Sequence, residues 1–453
     1  MDIDRRRLIA ISALTGTLPV ASMAIPANSA PLSGLSVDAI QLGVRAGGGA
    51  DQTNMLQAAI DQTASARVPL LLGPGDYRTG ALKLPSGAQI IGVRGSSRLI
   101  FTGDKPMFAA FGAEHITLAG VLIDGANAPL PERSALVHLT QCRDIRIVDC
   151  EIRNSSRAGI RLDAADGTVS GNTIAKSASV AIYSLDARGL VIAGNVVRQA
   201  GDGGILIHRS QKGDDGTLVI DNRIEDIANV SGGSGQFGNA INVYRAANVI
   251  VRGNRISRAA FSAVRGNAAS NIQITGNTAT DIGEVAIYSE FGFEGAVIAN
   301  NTVDGAALGI SVVNFNEGGR LAVVQGNLIR NLKPKRPAGT DPGDGAGIGI
   351  AVEADAAVTG NVIEGAPSAG ISVGWGAFMR DVAVTGNVVR DARVGIAVSV
   401  SNGAGNAVIT GNLISGAAKG AIVGMDHAKA VTGDLSQEPA RFANLQISGN
   451  RVR

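Results

Sequence analysis

Short runs of alternating apolar and polar residues recur along this chain, each broken by a Gly-Asn pair. In Ile272-Gln-Ile274-Thr-Gly-Asn277 the apolar residues stand five and three positions before the Asn. Another apolar residue follows two positions after it, as in Asn195-Val-Val197 or Asn412-Leu-Ile414. Period-2 alternation predicts a strand with one buried face on each side of the break. The pair, or its variants Asp-Asn and Asn-Asn, places Asn at 172, 195, 222, 254, 277, 301, 327, 361, 387, 412 and 450. The steps between copies run from 23 to 38 residues. A short base period with some longer steps is the pattern of a solenoid that carries inserted loops on certain turns.

Upstream of each Asn lies a third strand of the form Gly-Ile-x-Val, as in Gly309-Ile-Ser-Val312 and Gly395-Ile-Ala-Val398. Three short strands per turn, repeated in parallel, make a parallel β-helix. The Asn is expected to sit in the tight bend, where an αL backbone suits it better than most residues. Stacked on successive turns, its amide would bond the coils above and below. The pattern resembles the right-handed parallel β-helix of pectate-lyase-like proteins, and that resemblance implies the handedness. The expected fold is therefore all-β, a single-stranded right-handed parallel β-helix.

Residues 51–64 read as the one helix, capped by Asp51 or Thr53, with Met55, Leu56, Ala59 and Ile60 on its apolar face. Such a helix suits the N-terminal end of a solenoid, whose core and strand edges would otherwise be open. Beyond it come Val68-Pro-Leu-Leu-Leu, Pro74-Gly-Asp-Tyr77 and Leu82-Lys-Leu84. This order, over residues 43–100, resembles the start of pectate-lyase-like and phage-tailspike β-helices. Regular coils are expected over about 90–453. At the other end, residues 425–442 or another subunit would cover the last coil.

Arg5-Arg-Arg-Leu-Ile9 and the small, apolar run to Ala24 stand apart from the repeats. They resemble a twin-arginine (Tat) export signal, with cleavage near residue 24 or 30 and a β-helix domain over 31–453. Signal and repeat array together resemble the twin-arginine-translocated repeat proteins, a resemblance that assigns no catalytic residues. It implies the Tat export machinery as a partner and a periplasmic or secreted location. No later stretch is apolar enough to span a bilayer, so no membrane is expected once the signal is removed. The formal net charge of +2 gives no electrostatic case for nucleic acid. With 61 glycines and 3% aromatic residues, composition fits many turns around a narrow aliphatic core. Cys142 and Cys150 lie within one repeat, with Cys150 in the ladder position. They read as a disulfide in an oxidising compartment or as two buried thiols.

Loops are inserted after the Gly-Ile-x-Val strand at 210–216, 291–295, 314–320, 374–381 and 401–406. Others precede it at 230–238 and 333–345. They raise two walls beside the strand's outer face and so predict a groove along the axis. Alternation names the groove's floor. One row is Arg161, Tyr183, Leu206, Asn242, Arg265, Tyr288 and Ser311, and the other is Asp163, Leu185, His208, Tyr244, Asn267 and Glu290. Three of the chain's four tyrosines fall in these rows. Later outward positions, among them Ser372, Gly374, Ala397 and Ser399, are small and read as chemically quiet.

A polar groove of this length suits a polysaccharide. A lyase or epimerase of acidic glycans needs a group to neutralise the carboxylate, a base and an acid. Arg265 or Arg161 would neutralise, with His208 and Tyr244 as base and acid. Arg161, Asp163, Tyr183, Asn242, Asn267, Tyr288 and Glu290 are the expected substrate contacts. Asp163 and Glu290 are too far apart for the carboxylate pair of a glycosidase. Each residue also has a plainer reading: His208 as a strand-end histidine, the arginines as stacked on tyrosines, Glu290 as a solvated charge. Trp375 reads as packing over the solenoid or as a sugar platform. A non-catalytic glycan-binding or cell-envelope scaffold is the alternative function. No metal spacing, phosphate loop or dinucleotide fingerprint is present, so no cofactor is expected.

Overall fold

A computed structural model describes residues 36–453, apart from 48, 234 and 341–343. The twin-arginine segment and both cleavage positions lie outside the described residues. The chain forms a right-handed parallel β-solenoid of about 14 turns. Each regular coil contributes a strand before the Asn, a strand after it and a floor strand. The strands before the Asn stack into one 16-stranded sheet. The other two series run through a second sheet of 28 strands, parallel except for its last addition.

Aliphatic residues fill the interior coil after coil. Ile160, Ile182, Ile205 and Ile241, the Ile of successive floor strands, are all fully buried. The Asn ladder runs beside them without a gap. Asn254 Oδ1 accepts from the backbone N–H of Asn222 at 3.0 Å and from its Nδ2 at 2.9 Å. Asn254 Nδ2 in turn donates to Val219 O at 2.9 Å and to Asn277 Oδ1 at 3.0 Å. The same contacts repeat to Asn450, and Cys150 joins the other end by donating its N–H to Asn172 Oδ1.

One detail of the bend departs from expectation. The αL residue is the one before the ladder Asn: Gly253, Gly276 and Gly326 have φ between +63° and +68°, and Asp221 and Asn300 take +56° and +57°. The Asn therefore keeps an ordinary backbone and spends its amide on the ladder. That division of labour explains the Gly-Asn, Asp-Asn and Asn-Asn spellings, since αL favours those three residue types.

The helix is Thr53–Ala66, begun by a bond from the Thr53 N–H to Asp51 Oδ1 at 2.9 Å. It buries Leu56, Ala59, Ile60, Thr63 and Ala64 on the first coil, whereas Met55 is exposed. The apolar face is thus rotated one step from the expected one. At the far end the strand Lys429–Asp434 folds back antiparallel on Ile422–Asp426, the last floor strand. Part of 425–442 therefore closes one edge, while Leu445–Ser448 is the edge strand of the 16-stranded sheet among the described residues. Cys142 and Cys150 are free, buried thiols, and burial pushes the Cys150 thiol up to about 12.

Candidate functional site

The two outward rows stack in the register that alternation predicts. Arg161, Tyr183, Leu206, Asn242, Arg265, Tyr288 and Ser311 are partners in successive floor strands. Asp163, Leu185, His208, Tyr244, Asn267 and Glu290 form the second row. The residues divide into two groups along it.

At the N-terminal group, Arg161 Nε donates to Asp163 Oδ2 at 2.8 Å, and the Arg161 guanidinium lies 4.7 Å from the centre of the Tyr183 ring. His138, one coil earlier, meets the same carboxylate oxygen at 2.9 Å. Burial pulls the Asp163 pKa up, but the bonds from His138 and Arg161 outweigh it and hold the carboxyl below its ordinary range. His138 belongs to this site although sequence reasoning passed over it. Alternation in Leu136-Val-His138-Leu-Thr140 places it in the row with Arg161.

The second group surrounds a cavity of about 420 Å³ lined by His208, Gly235, Gln236, Asn242, Tyr244, Arg265, Asn267 and Phe291. Loop 230–238 supplies one wall and Phe291 the other, as the insertions predict. Segment 210–216 behaves differently: it largely continues the floor strand Gly203–Asp214, with an irregular register after His208.

His208 stands between two tyrosines, 5.2 Å from the Tyr183 ring and 5.5 Å from the Tyr244 ring, both edge-on. Its Nε2 is sealed from water and has no hydrogen-bond partner, and Asn242 Oδ1 shares that state. Burial lowers the His208 pKa to about 4, so the ring is neutral at physiological pH. The unfolded chain binds a proton near pH 6.5 and the folded chain only near pH 4. Stability is therefore expected to fall as pH drops through this window, by about 3 kcal/mol at most. Between pH 7 and pH 4 the urea midpoint of wild type should fall further than that of His208→Asn. Parallel curves would remove His208 as the cause.

Arg265 lines the cavity but is already engaged. Its Nε donates to Glu290 Oε1 at 2.6 Å and its Nη1 to Gly235 O at 2.8 Å, with Glu284 Oε2 at 3.9 Å. Asn267 Nδ2 also donates to Glu290, at 2.9 Å. Glu290 is 2% exposed, so it holds the cavity wall from behind and is not solvated. Glu284 is equally buried and accepts from Arg336 Nη1 at 2.8 Å. Burial raises its pKa, and the two arginines only partly offset this. Tyr288 is stacked under Arg265 at 5.1 Å, and burial drives its hydroxyl well above the ordinary value. Counting back by twos from Tyr288 reaches Glu284, a signal that was available. Arg336 carries none beyond its place in the charged loop 333–345.

His208, Tyr244, Arg265, Asn242 and Asn267 thus share one concave site, with Tyr183 behind His208. Arg161 and Asp163 form a separate cluster two coils away, about 10 Å along the axis. Tyr288 and Glu290 serve the site from beneath its surface. What lines it beside Arg265 is neutral: an imidazole ring, amides, a phenol and aromatic edges.

Among known families, "Right handed beta helix region" matches residues 211–380 and "Periplasmic copper-binding protein (NosD)" matches residues 113–235. No curated protein matches the chain. Among solved structures, the catalytic unit of a GH87 α-1,3-glucanase from Streptomyces thermodiastaticus is 16% identical. The alignment covers 92% of this chain and 68% of that one, with a TM-score of 0.50. The N-terminal fragment of bacteriophage phi29 gene product 12 is 14% identical, over 92% and 70%, at 0.53. An Azotobacter vinelandii mannuronan C-5 epimerase A-module is 14% identical, over 92% and 99%, at 0.44. At these identities the likeness is one of fold. The copper named in the second family finds no matching donor set: no three His, Cys, Asp or Glu gather around a common point among the described residues.

Proposed function

We propose that this chain is an exported, polysaccharide-active β-helix protein, with a glycan lying along the floor strands and one sugar seated at His208, Asn242 and Tyr244. The observation that carries this reading is the pair of unpartnered polar atoms, His208 Nε2 and Asn242 Oδ1, sealed within the lining of an aromatic-walled cavity. Buried polar atoms without partners are costly, and a sugar whose binding shifts the side chains that cover them would bring hydroxyls to both. Tyrosine edges suit the C–H faces of a pyranose. The α-1,3-glucanase of the same fold supports a carbohydrate as occupant, and the periplasmic family description supports export.

The reaction that fits these groups is proton abstraction beside a uronate carboxylate. With the covering side chains shifted by the bound sugar, neutral His208 accepts the C5 proton at Nε2. In elimination, the C4–O bond then breaks, the Tyr244 phenol protonates the departing oxygen and a C4–C5 double bond forms. In epimerisation, Tyr244 returns a proton to the opposite face of C5. The substrate carboxylate would meet the amides of Asn242 and Gln236, because Arg265 is committed to Glu290.

One observation favours a second reading, a glycan-binding scaffold without turnover. A histidine whose pKa is about 4 is a weak base, and Arg265, the guanidinium among the described lining residues, is paired with Glu290. A panel of polyuronates and neutral glycans decides between them, read by calorimetry for binding and by double-bond absorbance and product analysis for turnover. Tyr244→Ala is expected to weaken binding about tenfold, with loss of its ring contacts. His208→Ala should slow any turnover by about 10²-fold or more. If His208 is the base, kcat/KM should hold its plateau down to about pH 4. Binding without product leaves the scaffold reading, and neither binding nor product across the panel overturns both.

A further inference from the structure

The small outward residues of the later coils make a second hollow. Ser372, Gly374, Ala397 and Ser399 line a cavity of about 420 Å³ on the same face of the floor strands. Ala369, Val394, Ala397 and Val423 form an apolar cluster there, separate from the solenoid core, with Met425 against it. Because these side chains are short, the walls stand above them.

The two walls differ in chemistry. Arg393 and Lys419 stand where the chain arrives at the floor strands. On the departing side, residues 375–378 make a tight turn in which Trp375 and Phe378 exchange backbone bonds at 3.1 and 3.0 Å. Trp375 is 42% exposed and meets His427 edge-on at 5.5 Å. This wall is fixed in place: Ser399 Oγ donates to Gly376 O at 2.5 Å, and Asp426 Oδ1 accepts from Ser401 Oγ at 2.7 Å and from His427 Nδ1 at 2.9 Å. Gly376, at φ +59°, lets the imidazole approach, since a Cβ there would lie 2.4 Å from His427 Nε2.

Charge separates this hollow from the first one. Its lining contains Arg393 and Lys419 and, among the described residues, no carboxylate. In the first cavity the Arg265 charge is matched by Glu290 and Glu284. An apolar floor, an indole wall and cations that meet no carboxylate among the described lining residues together select a small anion with an apolar face.

We propose that this hollow binds one uronic acid unit, its carboxylate on Arg393 and Lys419, its C–H face on the Trp375 indole and its hydroxyls on Ser368 and Ser372. The site is distinct from the His208 cavity, and the choice of a uronic acid among such anions rests on the glycan reading given above.

Trp375 is the chain's single tryptophan, so intrinsic tryptophan fluorescence reports this hollow alone. The full chain is titrated with sodium glucuronate, with glucose and sodium acetate as separate controls, and calorimetry is run in parallel. Glucuronate should give a saturable signal that weakens with added salt, while glucose and acetate give none at the same concentrations. Arg393→Gln combined with Lys419→Gln should weaken binding about tenfold or more, the loss expected for charge-assisted bonds. Tyr244→Ala, which alters the other cavity, should leave the fluorescence titration unchanged. A flat response with no calorimetric heat overturns the proposal. So does an equal response to glucose or acetate, or a glucuronate curve that the double variant does not move.

Discussion

Asn254→Ala is expected to destabilise the solenoid by about 4 kcal/mol, far more than a typical single substitution. The side chain is fully buried at mid-ladder. Its loss strands the Asn222 backbone N–H and one N–H of its amide, both of which donate to Asn254 Oδ1, while the other amide N–H keeps Ile192 O, and it takes the amide donor from Val219 O. Asn277 Oδ1 keeps its backbone donor, the Asn254 N–H, and loses the amide. Each buried group left unmade costs about 1–3 kcal/mol, and a methyl offers none of them a partner. Asn450→Ala makes the control, because the last rung is only partly buried and water can replace what it loses. The terminal variant should cost about 1 kcal/mol. Urea unfolding compares the two, and amide exchange should accelerate first in the coils around Asn222 and Asn277. Equal midpoints for both variants would mean that the ladder is decoration upon the sheets.

Arg265→Ala is the second large effect, about 3–5 kcal/mol, because it leaves two buried carboxylates facing each other without the cation between them. Glu290 keeps only the Asn267 amide, and Glu284 keeps Arg336. Pairing Arg265→Ala with Glu290→Gln should recover much of the loss, since the uncompensated charge goes with the glutamate. The coupling between the two changes, measured as a double-mutant cycle, should exceed about 1 kcal/mol. Additive effects would show that the pair is a surface contact. Loss of activity in Arg265→Ala alone is therefore no proof of contact with substrate, because the variant also loosens the wall that Gly235 provides.

The scaffold was legible in the sequence because period-2 alternation and the Asn spacing are local signals. They give the coil, the floor rows and the residues that share the His208 cavity. They misplace two details. The αL backbone falls to Gly253 and its equivalents before the Asn, because the Asn amide is needed in line with the axis. Met55 turns outward because Thr63 and Ala64 continue the buried stripe at helical spacing.

The site was legible only in part. Glu284 and His138 lie on the alternation, but the Gly-Ile-x-Val motif that marks the floor rows does not single them out. Arg336 reaches Glu284 from 52 residues away through an irregular loop, which no pattern along the chain records. The second hollow was hidden for a different reason. Small outward side chains carry no chemistry of their own, and sequence pattern reveals what residues present but not the space they leave.

The ladder has one more consequence, for how such a chain changes over time. Its rungs hold to 2.9–3.0 Å while the steps between them range from 23 to 38 residues. Register is therefore set by a point contact in each coil and not by the length of chain between contacts. Insertion or deletion within a loop leaves every rung aligned, so lineages can rewrite the walls of either cavity without renegotiating the frame. Geometry and variation are inherited separately in this molecule, coil by coil.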